Sequence, residues 1–164
     1  MTHDQAEALS VSDEVVVMRD GCIEQQGSPR DLYRRPQSAF VANFIGESNI
    51  VDAVLEKNGA TFRIKLGEAV IDLPDCDETT RQGAIKLSLR PEMFMLKKEG
   101  DPTTELAGTI LQSAYMGPVI EYNIETAIGK IFTTATATGS RFQAGDQVFL
   151  HFHPKELIIL PEEN

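Results

Sequence analysis

Asn49-Ile50-Val51-Asp52-Ala53-Val54-Leu55-Glu56-Lys57-Asn58-Gly59-Ala60-Thr61-Phe62-Arg63-Ile64-Lys65-Leu66 is the stretch that decides the fold class. Two β-prone runs, 49–57 and 61–66, flank Asn58-Gly59, the dipeptide best suited to the left-handed central positions of a two-residue hairpin turn. This predicts an antiparallel hairpin. Downstream, the same texture of short β-prone runs repeats at 69–73, 84–90, 93–96, 107–116, 119–126, 130–136, 147–152 and 157–160. Alternation of apolar and polar residues is clearest in Gln147-Val148-Phe149-Leu150-His151-Phe152, the period of a strand with one buried face. Turns at Gly59-Ala60, Gly117-Pro118 and Gly145-Asp146 separate hairpins. So many short strands with Gly-bearing turns predict a mainly β fold, a small OB-like barrel or sandwich rather than a parallel sheet. No repeat is legible as identical residues, and the polar stretches 74–83 and 97–105 are expected to be mobile loops.

Upstream of Glu47 the pattern differs. Val15-Val16-Val17-Met18 is a strand-like run, Asp20-Gly21 a hairpin turn, and 22–26 a second strand. Asp4 can cap a short helix over 5–9. Ser28-Pro29-Arg30-Asp31 reads as a cap, a first-turn proline and a first-turn acid, opening a helix that Pro36 stops. Ser38 caps another, in which Phe40, Val41, Phe44 and Ile45 share a face and Gly46 supplies the stop. The change of texture predicts two units, 1–46 and 47–164. The first is expected to be too short to bury its own apolar residues, so that 15–18 and 40–45 promote self-association.

Composition bounds the function. The 164 residues hold 41% hydrophobic and 24% charged side chains with 11 aromatics (8 Phe, 3 Tyr), which suits a soluble globular chain. Fifteen Lys+Arg against 25 Asp+Glu give a net charge of −10, which argues against nucleic acid as a partner. Cys22 and Cys76 have neither disulfide-framework nor zinc-site spacing, which fits a reducing cytoplasm. No apolar run approaches the roughly 20 residues of a membrane helix.

Thr2-His3-Asp4-Gln5-Ala6-Glu7-Ala8-Leu9, followed without a gap by Ser12-Asp13-Glu14-Val15 through Gly27-Ser28-Pro29, resembles the switch-histidine end of ATP-binding-cassette (ABC) importer ATPase domains. Tyr33-Arg34-Arg35-Pro36 and Phe40 through Asn49 resemble the connector that follows, and Ser88-Leu89-Arg90-Pro91-Glu92 resembles the signature of the transport-associated OB (TOBE) regulatory module. The resemblance implies a short α/β remnant of the nucleotide-binding domain over 1–46 and a TOBE domain over 47–164. It implies a C-terminal fragment beginning one residue before the Thr-His pair, with Met1 an added or alternative start.

Neither a GxxxxGK[ST] phosphate loop nor a Leu-Ser-Gly-Gly-Gln signature occurs in the sequence, so this chain alone is not expected to be an enzyme. In the intact parent the resemblance implies ATP and Mg as cofactors, none being expected for the fragment. His3 would then be the catalytic and nucleotide-binding switch, touching the γ-phosphate. The implied partners are a second ATPase subunit in a homodimer and the membrane permease subunits, with the parent peripheral on the inner face of the cell membrane. The implied cargo is a polyamine (spermidine or putrescine), with iron(III) next. A different class remains open, a free-standing oxyanion- or metabolite-binding module on the same β fold.

Other candidates have plainer readings. Arg90, Pro91 and Glu92 form the regulatory-domain motif, in which proline forces Arg90 into extended backbone and leaves Arg90 and Glu92 as anchors. Arg30, Arg34 and Arg35 are expected to pair with local carboxylates, Tyr115 and Met116 to pack in the core, and His151 and His153 to lie on a strand surface. The acidic stretch at 75–78 has no ligand spacing, and no metal site is expected.

Overall fold

The computed structural model describes residues 9–59, 61–73, 82–139 and 141–162. The expected hairpin forms, with β3 (Asn49–Asn58) paired to β4 (Thr61–Leu66), but the register ends on Asn58 opposite Thr61, so Asn58 stays in the strand and the turn opens one residue later, on Gly59 at φ +64°. Side chains alternate across the pleat, so Val51, Ala53 and Leu55 of β3 face inward with Phe62, Ile64 and Leu66 of β4 and Ala69, Ile71 and Leu73 of β5 (Ala69–Leu73). With β6 (Gly83–Leu89) and β12 (Ile158–Leu160) they make one five-stranded sheet, order β12-β6-β3-β4-β5. A second sheet, order β10-β9-β8-β11-β7, holds β7 (Met95–Lys97), β8 (Leu106–Tyr115), β9 (Val119–Thr126), β10 (Gly129–Thr136) and β11 (Gln147–His151). Every pairing is antiparallel. Leu55, Ile64 and Leu87 of the first sheet and Ile110, Tyr122, Ile124 and Leu150 of the second belong to one continuous core. The chain is therefore mainly β, a barrel-like sandwich.

The two sheets repeat one topology that residue identities do not reveal. Four strands, a one-turn 3-10 helix and a short fifth strand follow in order twice: β3 to β6, Pro91–Met93 and β7, then β8 to β11, Pro154–Glu156 and β12. In each set the spatial order is fourth, first, second, third. The fifth strands are exchanged: β7 pairs with β11 of the second set and β12 with β6 of the first. Neither half completes its sheet without the other. The expectation of no repeat holds only for identical residues, because the matched turns share little beyond Pro91 and Pro154, each preceded by an extended residue, Arg90 or His153.

Two of the four edge strands of these sheets, β10 and β5, have backbone groups met by side chains or loops, which shields part of those edges. At β10, Phe132 N–H donates to Asn49 Oδ1 at 2.7 Å while Asn49 Nδ2 donates to Phe132 O at 2.8 Å, so one amide side chain pairs like a strand residue. At β5, Val70 N–H donates to Thr103 O at 2.8 Å.

That last bond comes from a stretch expected to be mobile, which the structure instead shows packed. The Asp101 carboxylate accepts from Thr103 N and Oγ1, and Gly100 lies so close to Phe149 that an added Cβ would sit 2.6 Å from the Phe149 Cβ. Buried Glu105 accepts from Lys97 Nζ at 3.2 Å, from Asp101 N–H at 3.1 Å, and from His151 Nδ1–H at 2.6 Å, the carboxylate fixing which ring nitrogen carries the proton. Burial alone would raise the Glu105 pKa; the bonds from His151, Lys97 and Asp101 outweigh it and hold the pKa below the usual glutamate value. A depressed folded-state pKa gives stability that is present above the unfolded value and lost as pH falls through the folded one. Glu105→Gln is therefore expected to cost about 1–2 kcal/mol at neutral pH. In urea titrations its stability should fall less steeply than that of the parent chain below about pH 4.3. Parallel pH profiles would refute this assignment.

The N-terminal segment has its own small core. β1 (Val15–Arg19) and β2 (Cys22–Gly27) form a hairpin about Asp20 (φ +51°) and Gly21 (φ +82°). Helices α1 (Pro29–Arg34) and α2 (Ala39–Ile45) start at Ser28 and Ser38, whose hydroxyls accept from Asp31 N and Val41 N. Val17, Leu32, Val41 and Ile45 pack together, so the segment buries more of itself than its length suggests. Of the expected α2 face, Val41 and Ile45 are buried and Phe40 packs against the same cluster, with Ala42 buried beside them, whereas Phe44 is exposed and stacks on Phe40 with centroids 5.6 Å apart. The Arg19 guanidinium lies over the Phe40 ring at 5.0 Å, which gives these aromatics a partner outside the core. Gly46 ends α2 with extended backbone (φ 169°) and not a left-handed turn. Its missing side chain matters for space, since a Cβ there would meet Tyr33 Cε2 at 3.3 Å. The outer face of the hairpin leaves Val16, Met18 and Ile23 exposed. The expected helix capped by Asp4 lies mostly outside the described residues, and no helix among them is long and apolar enough to cross a membrane.

Candidate functional site

Leu89 ends β6, Pro91 opens a 3-10 turn, and Arg90 between them is held extended (φ −73°, ψ 140°) as the residue before a proline must be. That geometry sends Arg90 into the junction between the β domain and the N-terminal segment, where it is only 4% exposed. Its Nη1 donates to Ala42 O at 2.8 Å, Gly46 O at 2.9 Å and Glu47 O at 3.3 Å, and its Nη2 donates to Tyr33 O at 3.0 Å. These carbonyls belong to the ends of α1 and α2 and the strand entry, where helix carbonyls lack intrahelical partners and the dipole favours a cation. One planar guanidinium thus ties two helix C-termini to the β domain. It also stacks on the Tyr33 ring, 4.1 Å from the centroid.

Electrostatics fit this clamp. Burial pulls the Arg90 pKa down, and Tyr33 and Glu92 push it back up. Tyr33 is raised to about 12 by burial first, then by the hydrogen bond its hydroxyl donates to the Glu92 carboxylate and by that charge, with Arg90 opposing. Arg90 Nε is the one buried side-chain polar atom among the described residues without a hydrogen-bond partner. An unmet buried donor costs about 1–3 kcal/mol. Pro91 is buried and its carbonyl accepts from Thr133 Oγ1 at 2.7 Å, so the turn that aims Arg90 is itself fixed to β10.

The motif residues Arg90, Pro91 and Glu92 therefore meet at one junction, whereas the other candidates lie elsewhere. His3 and the acidic stretch at 75–78 lie outside the described residues. His151 and His153 serve separate structures: the first binds Glu105, and the second caps the last 3-10 turn by accepting from Lys155 N at 3.1 Å. No group of three potential metal ligands occurs among the described residues. Tyr115 and Met116 are exposed and not in the core, because they sit at the end of the β8–β9 hairpin beyond the second sheet; Arg141 lies 5.8 Å from the Tyr115 centroid. Arg30, Arg34 and Arg35 are exposed and, contrary to expectation, form no ion pair with a described carboxylate. Tyr33 is the clamp residue that local pattern does not reveal: it stands in the connector, and no spacing rule links it to Arg90 57 positions away.

Two exchanged five-stranded sheets with a clamp motif at the start of the crossover define an OB-like β module. Residues 87–160 match the TOBE domain model, a range that opens in β6, includes the clamp turn and closes with β12. The chain matches the C-terminal part of ABC importer ATP-binding subunits. It is 37% identical to the Fe(3+) ions import ATP-binding protein FbpC of Brucella abortus (strain 2308), over 98% of this chain and 44% of that protein. It is 36% identical to the protein of that name from Photorhabdus laumondii, over 100% of this chain and 45% of that one. The chain thus spans less than half the length of these relatives. Among solved structures, the cytoplasmic molybdate-binding protein ModG shares the fold, with a TM-score of 0.53 and 14% identity over 69% of this chain and 96% of that one.

Proposed function

We propose that this chain is the regulatory portion of the ATP-binding subunit of an iron(III) importer. The observation that carries the reading is the 36–37% identity, across essentially the whole chain, to subunits named for Fe(3+) import. That identity supports iron(III) as cargo over polyamine, which the sequence alone favoured. The likeness to a molybdate-binding protein is one of fold, so a free-standing oxyanion binder is not favoured. In this reading residues 1–46 close the nucleotide-binding domain and 47–164 form the regulatory domain. ATP and Mg are held by the rest of the subunit, and His3 is the γ-phosphate switch. A second copy and the permease subunits are the partners, at the cytoplasmic face of the membrane. Arg90 supports the reading physically: it fixes the angle between the segment that continues the nucleotide-binding domain and the β domain, so motion in one is carried to the other.

Transport by cells tests it. Inactivating the gene is expected to abolish high-affinity uptake of radiolabelled iron(III) while leaving spermidine uptake unchanged. Loss of spermidine uptake, or no change in either, would overturn the proposal.

A further inference from the structure

A cleft of about 840 Å³ runs between the end of α1 and the Pro154–Glu156 turn, walled on one side by the N-terminal segment and on the other by the β domain. That is the size of a small-metabolite site, and it lies at a junction between packed units, where such sites concentrate. Its apolar wall includes Pro36, Met93, Leu157 and Ile159. Its charged residues are Arg34, Arg35, Arg90 and Lys155 against Glu92 and Glu156, four cations to two carboxylates, in a chain whose net charge is −10. Glu92 is already engaged by the Tyr33 hydroxyl. Arg34 and Arg35, exposed and consecutive, are paired with no described carboxylate. Arg90 also lines the cleft, its guanidinium already engaged by the Tyr33, Ala42, Gly46 and Glu47 carbonyls.

Guanidinium groups recognise carboxylate and phosphate oxygens in pairs of parallel hydrogen bonds, and two neighbouring arginines beside an apolar wall select an anion that carries carbon. We propose that this cleft binds a small organic dianion, its charged head on Arg34 and Arg35 and its skeleton against Met93 and Leu157, so that the ligand spans the two units that Arg90 ties together. The occupant is a regulatory metabolite, separate from any transported cargo. Phosphate esters and dicarboxylates share the required chemistry.

Calorimetric titration of the 164-residue chain separates the sources, with glycerol 3-phosphate as the ester, succinate as the dicarboxylate and inorganic phosphate as the bare oxyanion. One of the two organic dianions is expected to bind one per chain, at least about ten-fold tighter than inorganic phosphate. Arg34→Ala/Arg35→Ala should weaken that binding by about ten-fold or more. Should that variant melt lower, Arg34→Lys/Arg35→Lys retains charge but not paired hydrogen bonds and should bind between the two. Bound ligand should slow amide hydrogen exchange in residues 35–48. Absence of one-to-one binding by either organic dianion, equal binding of inorganic phosphate, or unchanged binding by the arginine variants would each overturn the proposal.

Discussion

Replacing Arg90 with alanine is expected to detach the N-terminal segment from the β domain at a cost of about 3–4 kcal/mol. Hydrogen bonds to a charged group contribute about 1.5–3 kcal/mol each in favourable cases. Here one side chain serves Tyr33 O, Ala42 O, Gly46 O and Glu47 O, so its loss strands several acceptors together. The Tyr33 ring also loses its cationic partner. Arg90→Lys keeps the charge, but an ammonium cannot stack as a plane or reach all four carbonyls, and it should recover about half of the loss. Urea titration gives the energy, and hydrogen exchange locates it: amides of residues 33–48 should exchange faster while those of β8 and β9 do not. Uniform acceleration through both sheets would show that Arg90 supports the whole core and is not a junction clamp.

Gly108→Ala is expected to cost about 2–3 kcal/mol through the opposite error, too much volume. Gly108 lies in β8, opposite Val148 of β11 on one side and Thr126 of β9 on the other. An alanine Cβ there would stand 2.6 Å from Ile124 Cγ2 and 2.8 Å from the backbone oxygen of Glu125. A side chain could rotate away, but a ladder oxygen cannot, so β8 and β9 must part. Gly117→Ala is the comparison. It adds a methyl where nothing lies within 4 Å, at φ +85°, and should cost only about 1 kcal/mol of backbone strain. Equal melting temperatures for the two variants would show that the second sheet yields freely at Gly108.

The legible parts of this molecule are those written in local chemistry. Asp20-Gly21 and Gly59 marked their turns because few residues tolerate positive φ, and Ser28-Pro29 and Ser38 marked helix starts because their hydroxyls satisfy orphan amides. One residue of the expected α2 face departs from it for a tertiary reason: Phe40, Val41 and Ile45 reach the small core, whereas Phe44 is left exposed and stacks on the Phe40 ring. The polarity of 97–105 predicts a mobile loop, yet Glu105 draws three donors that lie on both sides of it in sequence.

By itself the sequence determined which residues would be strands, turns and capped helices, and that the motif Arg90-Pro91-Glu92 stands where one strand must stop. Periodicity and turn propensity act over a few residues, and that range suffices for them. Tertiary structure alone decided the exchange of β7 and β12 between sheets, the repeat this exchange completes, and the bonding of Arg90 to carbonyls 43 to 57 positions away. Those features depend on where distant backbone oxygens come to rest once two sheets have packed on one core, and no local residue pattern encodes that placement.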